Sequence, residues 1–346
     1  MTTWGVVSTV KAPLTDILAF AAHHLDLGAH RLYIYLDDPE PDTFNTLKSH
    51  PKIRPTACDD GYWQKQGMRP RKHQVRQGRN ATHAYNRRAE VDWLAHIDVD
   101  EFLAPPAPLS DLLAALPPAA TSARIYPVEA LAGDGTRFKR AARGPDQAVV
   151  IDRIYPVYGR YLRGGFMSHV AGKLFARTGL EGVDFRIHNV LVNRKTSPDG
   201  TTLDGVDLCH FHAKPWEDWF ATYRYRLQNG SYRPELPPAV PHDRGGLTLH
   251  ELFTAIETED GEAGLRAYLE QYPDGLFADT ARARLRRIER EERQQANEGA
   301  RAMWGLSIPV AKRTGAPSSG VPPASKQTST SCSAPSISSI GIRTAT

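Results

Sequence analysis

Two rhythms of apolar and polar positions share the first hundred residues. Residues 4–10, WGVVSTV, form a short apolar run of the kind a buried strand produces. Pro13 stands where a helix can begin without losing a hydrogen bond. Leu14, Ile17, Leu18, Ala21 and Leu25 then recur on one helical face until Gly28 stops it. RLYIYL over 31–36 is a second strand, ended by Asp37, Asp38 and Pro39. Strand, helix and strand in this order make a βαβ unit, with a parallel, right-handed crossover expected. A short helix over 44–50 and a strand over 53–57 follow. Residues 59–77 read as irregular and basic, and 77–90 as a helix with Ala81, Ala84, Tyr85 and Arg88 on one side. Trp93 to Ile97 is again a short buried run.

Beyond it the pattern predicts a helix over 109–116 and strands over 123–131, 148–154, 168–177, 186–193 and 207–213. Pro215 opens a helix with Trp216, Trp219, Phe220, Tyr223 and Leu227 inward. Glu217 and Asp218 fall in its first turn, where they suit the helix dipole. The expected organisation is an α/β domain over 1–230, a linker over 231–246, a helical appendix over 247–305 and a disordered Ser/Thr/Pro-rich tail over 306–346.

Chemistry enters where the run at Trp93 ends in Asp98, Val99, Asp100 and Glu101. If the strand continues, Asp98 and Asp100 share a face while Val99 points into the core. Adjacent carboxylates repel unless a cation sits between them. Oxygen ligands at a strand end suit Mg²⁺ or Mn²⁺. The plainer alternative is an exposed acidic turn. Lys11 at the end of the first strand, with Asp37 and Asp38 at the end of the second, would frame a nucleotide pocket at the carboxyl edge of the sheet. A solvated Asp-Asp-Pro turn is the alternative there. His210 and His212 share a strand face, from which one of them could reach a metal or a diphosphate; a histidine on a polar sheet face is the alternative.

WLAHIDVDEFL resembles the D-x-D segment of bacterial family 2-type glycosyltransferases, in particular a subgroup with a DVDEF signature. Residues 6–11, HLDLG over 24–28, the acids at Asp37 and Asp38, and HFHAKPWE over 210–217 resemble further family segments in the same order. The first strand departs from the family pattern, since Ala12 and Pro13 follow Lys11 where the family has Asn-Glu. The resemblance implies a GT-A-like, Rossmann-like mixed sheet flanked by helices. It implies a nucleoside diphosphate sugar donor, UDP-linked, held through Mn²⁺ or Mg²⁺. Asp98, Asp100 and His210 would make up the metal site, with Asp98 contacting the ribose or a metal-bound water. Lys11, Asp37, Asp38, Lys173 and Lys214 would line the donor side. Transfer would proceed with inversion to a saccharide or lipid-linked acceptor. Asp184 and His188, on an acceptor-side strand pair, are the candidates for the required general base. The rivals are a nucleotidyltransferase, which usually carries a Gly-rich basic loop after the first strand, and a non-catalytic binding protein with a decayed site. A piece around Leu265 to Ala278 also resembles one helix-turn-helix of tetratricopeptide-like repeats, too little for an array.

Composition narrows this little. The chain has 346 residues and a net charge of +4, too weak a basic excess to require nucleic acid. It has no apolar run of membrane-spanning length. The N-terminal segment lacks the features of a signal peptide. Three widely spaced cysteines, Cys58, Cys209 and Cys332, form no zinc or disulfide pattern. A cytoplasmic enzyme is expected, with peripheral association at the inner membrane face left open.

Overall fold

The computed structural model describes residues 1–258, except 88, 132–134, 157, 197–199 and 213–215, and scattered positions between 262 and 294. The chain divides into two compact units whose boundary in sequence falls between His250 and Glu251. The first unit carries the chemistry.

Its opening follows the expected order: β1 (Trp4–Val10), α1 (Leu14–Asp26), β2 (Arg31–Leu36), α2 (Pro41–Lys48) and β3 (Ile53–Ala57). Next come α3 (Asp60–Lys65), α4 (His73–Asn86), β4 (Trp93–His96), β5 (Glu101–Ala104) and α5 (Leu109–Ala114). The chain continues with β6 (Ser122–Ala130), β7 (Phe138–Arg140), α6 (Gln147–Ile154), β8 (Lys173–Arg177), β9 (Val183–Phe185), β10 (Val190–Val192) and β11 (Lys195–Thr196). The elements delimited among the described residues close with β12 (Gly200–His210), α7 (Trp216–Gln228) and α8 (Leu249–Thr258).

Eight strands lie side by side as β3-β2-β1-β4-β8-β6-β12-β5, with β7 added on β6. The half from β3 to β4 is parallel. Antiparallel pairings of β8 with β4 and β6, and of β5 with β12, together with a parallel pairing of β12 with β6, complete the mixed sheet. The fold class is therefore the expected α/β one. A separate antiparallel sheet joins β9, β10 and β11.

Strand alternation decides how the faces are covered. Trp4, Val6 and Val10 of β1 join Ile17 and Phe20 of α1, Leu47 of α2 and Leu109 of α5 in one core. Val7, on the opposite face, joins Trp63 of α3, Ala81 and Tyr85 of α4, and Phe185 of β9. Burying one such large apolar side chain contributes roughly 1.5–3 kcal/mol.

Several expectations are corrected. Residues 148–154, expected as a strand, form α6. A run of Val149, Val150 and Ile151 fits strand and helix alike, and only Ile151 is buried. The expected strand over 168–177 begins only at Lys173, because Gly172 adopts φ +74° and breaks the extended backbone. The expected strand over 186–193 shortens to β10, with β9 before it. The segment over 59–77 is not wholly irregular, since it holds α3 and the start of α4. The last strand ends at His210, so His212 lies beyond it. The helix over 249–258 is present as α8. The rest of the expected helical appendix falls largely outside the described residues, and the tail over 306–346 wholly so.

Candidate functional site

β4 stops at His96, one residue before the expected end. Ile97, Asp98, Val99 and Asp100 form a turn, and the chain re-enters the sheet as β5 at Glu101. Strand alternation therefore does not orient the two aspartates. A turn does: Glu101 N–H donates to Asp98 O at 3.0 Å, and Asp98 N–H donates to Glu101 Oε2 at 2.7 Å. The glutamate side chain thus locks the turn that presents the D-x-D carboxylates.

Sheet register supplies the next neighbours. His210, the last residue of β12, stands opposite Glu101 of β5 on one side and Glu129 of β6 on the other. Laterally paired residues face the same way, so one histidine lies between two glutamates. His210 Nε2 lies 3.6 Å from Asp100 Oδ2. Phe211 N–H donates to Asp100 O at 2.9 Å, which ties the end of β12 to the turn.

Lys173, first residue of β8, reaches in from the third side. Its ammonium lies 2.6 Å from Asp98 Oδ2 and 3.1 Å from Glu101 Oε2. The side chains of Lys173 and Glu101 are both fully buried. The amide of Gln77, on α4, donates to Asp98 Oδ1. Both oxygens of Asp98 are thus engaged, while Asp100 is more open at 31 % side-chain exposure. His169, on the segment before β8, places Nε2 3.1 Å from Glu101 Oε1. Its ring lies 5.3 Å from that of His210 and 4.5 Å from that of His188.

The electrostatics follow from burial opposed by partners. Burial pushes the Glu101 carboxyl up, but Lys173 and His169 outweigh it and hold the group well below the usual range. Asp100 is likewise held below it, because His210 overcomes burial. Burial drags His210 down, yet Asp100, Glu101 and Glu129 raise it to about 8. Burial opposes the Lys173 charge, and Asp98 and Glu101 more than restore it. Asp98 is pushed up by burial and by its carboxylate neighbours, against the pull of Lys173.

The remaining expected residues divide clearly. Lys11 pairs with Asp38 at 3.0 Å across the ends of β1 and β2, with both side chains largely exposed. Asp37 is buried, and Arg76 grips it bidentately at 2.8 and 2.7 Å while Arg69 adds a third contact at 3.2 Å. The basic segment over 69–79 thus caps this aspartate. His188 Nδ1 donates to Gly172 O at 2.7 Å, and burial with His169 and Lys173 nearby pushes its basicity down to about 3. Asp184 pairs with Arg186 at 2.8 Å on the small sheet. His212 turns to Tyr232, whose hydroxyl lies 2.8 Å from its Nε2. Lys214 lies outside the described residues. The structure therefore brings together Asp98, Asp100, Lys173 and His210, and places His188 beside them through His169. It adds Glu101, His169 and Gln77, which sequence reasoning missed. Glu101 adjoins the D-x-D motif, but nothing in the pattern marks His169 or Gln77.

Residues 7–128 match the profile of glycosyltransferase family 92. The matched region runs from β1 through the D-x-D turn to β6 and supports a glycosyltransferase in general. The family 2 subgroup that the DVDEF segment resembles is a finer assignment than this match. No curated protein matches the chain.

Proposed function

We propose that the chain is a metal-dependent glycosyltransferase that takes a sugar from a nucleoside diphosphate donor, UDP-linked by resemblance, and passes it to a saccharide or lipid-linked acceptor. The observation that carries this reading is the approach of Asp100 and His210. An oxygen and a nitrogen donor from distant parts of the chain converge at 3.6 Å beside the turn that follows β4. The donor set fits Mn²⁺ or Mg²⁺, and that ion, when bound, stabilises the charge developing on the leaving diphosphate.

The chain's own residues then divide the work. Asp100, the more open carboxylate, and His210 are the ligands. Asp98 is oriented by Gln77 and Lys173 and faces the ribose or a metal-bound water. Lys173, wholly buried, acts as a positioning residue for Asp98 and Glu101 and does not itself grip the diphosphate. Lys11 and Asp38 flank the donor at the ends of β1 and β2. Asp37, with its arginine clamp, shapes the wall behind them. Inversion requires a base on the acceptor side. His188 and Asp184 are the candidates: His188 offers a free Nε2 but low basicity, and Asp184 must first release Arg186. Two buried free thiols, Cys58 and Cys209, suit a reducing cytoplasm. Among the described residues no helix is long and apolar enough to cross a membrane.

The test is turnover of Asp100→Ala and His210→Ala against His212→Ala. The first two are expected to lose transfer at fixed Mn²⁺ while the third loses less. Equal turnover of Asp100→Ala and the parent would remove the metal role from this pair.

A further inference from the structure

We propose that Glu101 and His169 join Asp100 and His210 in a two-imidazole, two-carboxylate site, which makes the resident ion a transition metal such as Mn²⁺ or Co²⁺ rather than Mg²⁺. The inference rests on the metal-dependent reading above and names the chemistry of its ion.

Glu101, His169 and His210 each offer one ligand atom, and these atoms all lie within 4.8 Å of one another. Bonds of about 2.1 Å in an octahedral shell place neighbouring donors ~3.0 Å apart and opposite donors ~4.2 Å apart. The Glu101 to His169 separation of 3.1 Å already matches a neighbouring pair. The Asp100 to His210 separation of 3.6 Å is close to one. A small contraction would close all of them on one ion.

Two of the donors are held from behind. Glu101 Oε2 is taken by Lys173 and by Asp98 N–H, which leaves Oε1 turned to His169. His169 follows a backbone stretch pinned by Glu129, whose carboxylate accepts from Ser168 N–H at 2.8 Å. Glu129 is itself paired with Lys139 at 2.9 Å, and Lys139 also donates to Tyr155 and Gly165 O. Supporting contacts of this type orient metal ligands.

Among the described residues, Nδ1 of His169 and Nδ1 of His210 are buried without a hydrogen-bond partner, so neither ring is fixed from its far side and both are free to turn toward an ion. Two nitrogen ligands favour softer, later ions over Mg²⁺, which prefers an oxygen shell and its own waters.

Metal binding to the metal-stripped full chain, read by electron paramagnetic resonance of Mn²⁺ without nucleotide, tests this. Mn²⁺ is expected to bind at least tenfold more tightly than Mg²⁺ in competition. Pulsed measurements should show nitrogen couplings from two imidazoles, and His169→Ala should remove one of them and weaken Mn²⁺ at least tenfold. His169→Gln preserves a hydrogen-bond donor toward Glu101 and guards against misfolding; it should weaken Mn²⁺ equally, while the exposed His50→Ala changes nothing. The inference is overturned if His169→Gln keeps parental Mn²⁺ affinity, or if Mg²⁺ competes one for one. Sugar-nucleotide turnover is measured on the same samples. Mn²⁺-dependent turnover that ignores His169 sinks this inference and leaves the proposed function standing. Tight two-nitrogen binding with no turnover of any sugar nucleotide keeps the site and removes the reaction from it.

Discussion

Replacing Lys173 by Met probes the group on which the D-x-D turn depends. Its ammonium sits 2.6 Å from Asp98 and 3.1 Å from Glu101, and neither it nor Glu101 is exposed. At an effective dielectric near 20, attractions over these distances are about 5 to 6 kcal/mol each before desolvation. The net worth of the pair is smaller, because burying both charges is costly. Met fills similar volume but leaves Glu101 buried beside Asp98 without its counter-charge. Removing one partner of a buried pair costs about 3–5 kcal/mol, a large share of the roughly 5–15 kcal/mol that holds a domain folded. A fall in Tm on the order of 10 °C is expected. Urea unfolding followed by tryptophan fluorescence at pH 7.5 gives the loss, and thermal melts give the shift. Adding Glu101→Gln should recover a good part of it, because the stranded charge is gone. The single variant should also gain stability relative to the parent as pH falls and Glu101 takes a proton. The reasoning is refuted if Lys173→Met melts within 2 °C of the parent, or if Glu101→Gln deepens the loss.

His210 predicts a pH dependence in the metal-free protein. Its folded value of about 8 lies above the ordinary 6.5, so its contribution, about 2 kcal/mol, is fully present below pH 6.5 and lost as pH rises through 8; a His210→Gln melt series over pH 6–9 should flatten this slope, and an unchanged slope assigns it elsewhere. Gly172→Ala should destabilise by several kcal/mol, since φ is +74° and a Cβ would meet Ile125 O at 2.3 Å. Because that residue sets the start of β8, the same variant should also weaken Mn²⁺ binding; a parental melt would show that the backbone there can relax. Asp37→Asn should lower stability by about 1–3 kcal/mol by loosening the Arg76 clamp, and an unaltered urea midpoint would show the clamp to be idle.

Local rhythm carried the parallel half of the sheet. The helical recurrence from Leu14 to Leu25 and the apolar runs at Val6, Leu32 and Leu94 are complete within single elements, and β1, α1, β2 and β4 lie where they point. Rhythm failed where burial was one-sided or short. Val149, Val150 and Ile151 look like a strand, but α6 turns Val149 and Val150 to solvent. At the site, Asp98, Asp100 and His210 were legible because they stand at element ends beside a recognisable motif. Their convergence was expected from the resemblance and not from spacing. The partnership of Glu101 with Lys173 and His169 depends on sheet register across β5, β12, β6 and β8, which no local pattern encodes. Asp37 read as a free acid because its arginine partners lie on α4 and the segment before it, distant in sequence.

Release of UDP from a panel of UDP-sugars by the full chain, with Mn²⁺ and after chelation, tests the central claim most directly. The account predicts that at least one UDP-sugar is consumed with Mn²⁺ present. It predicts that chelation stops release and that Asp100→Ala lacks it at any Mn²⁺ concentration. Consumption that continues undiminished after chelation, or in Asp100→Ala, would contradict it.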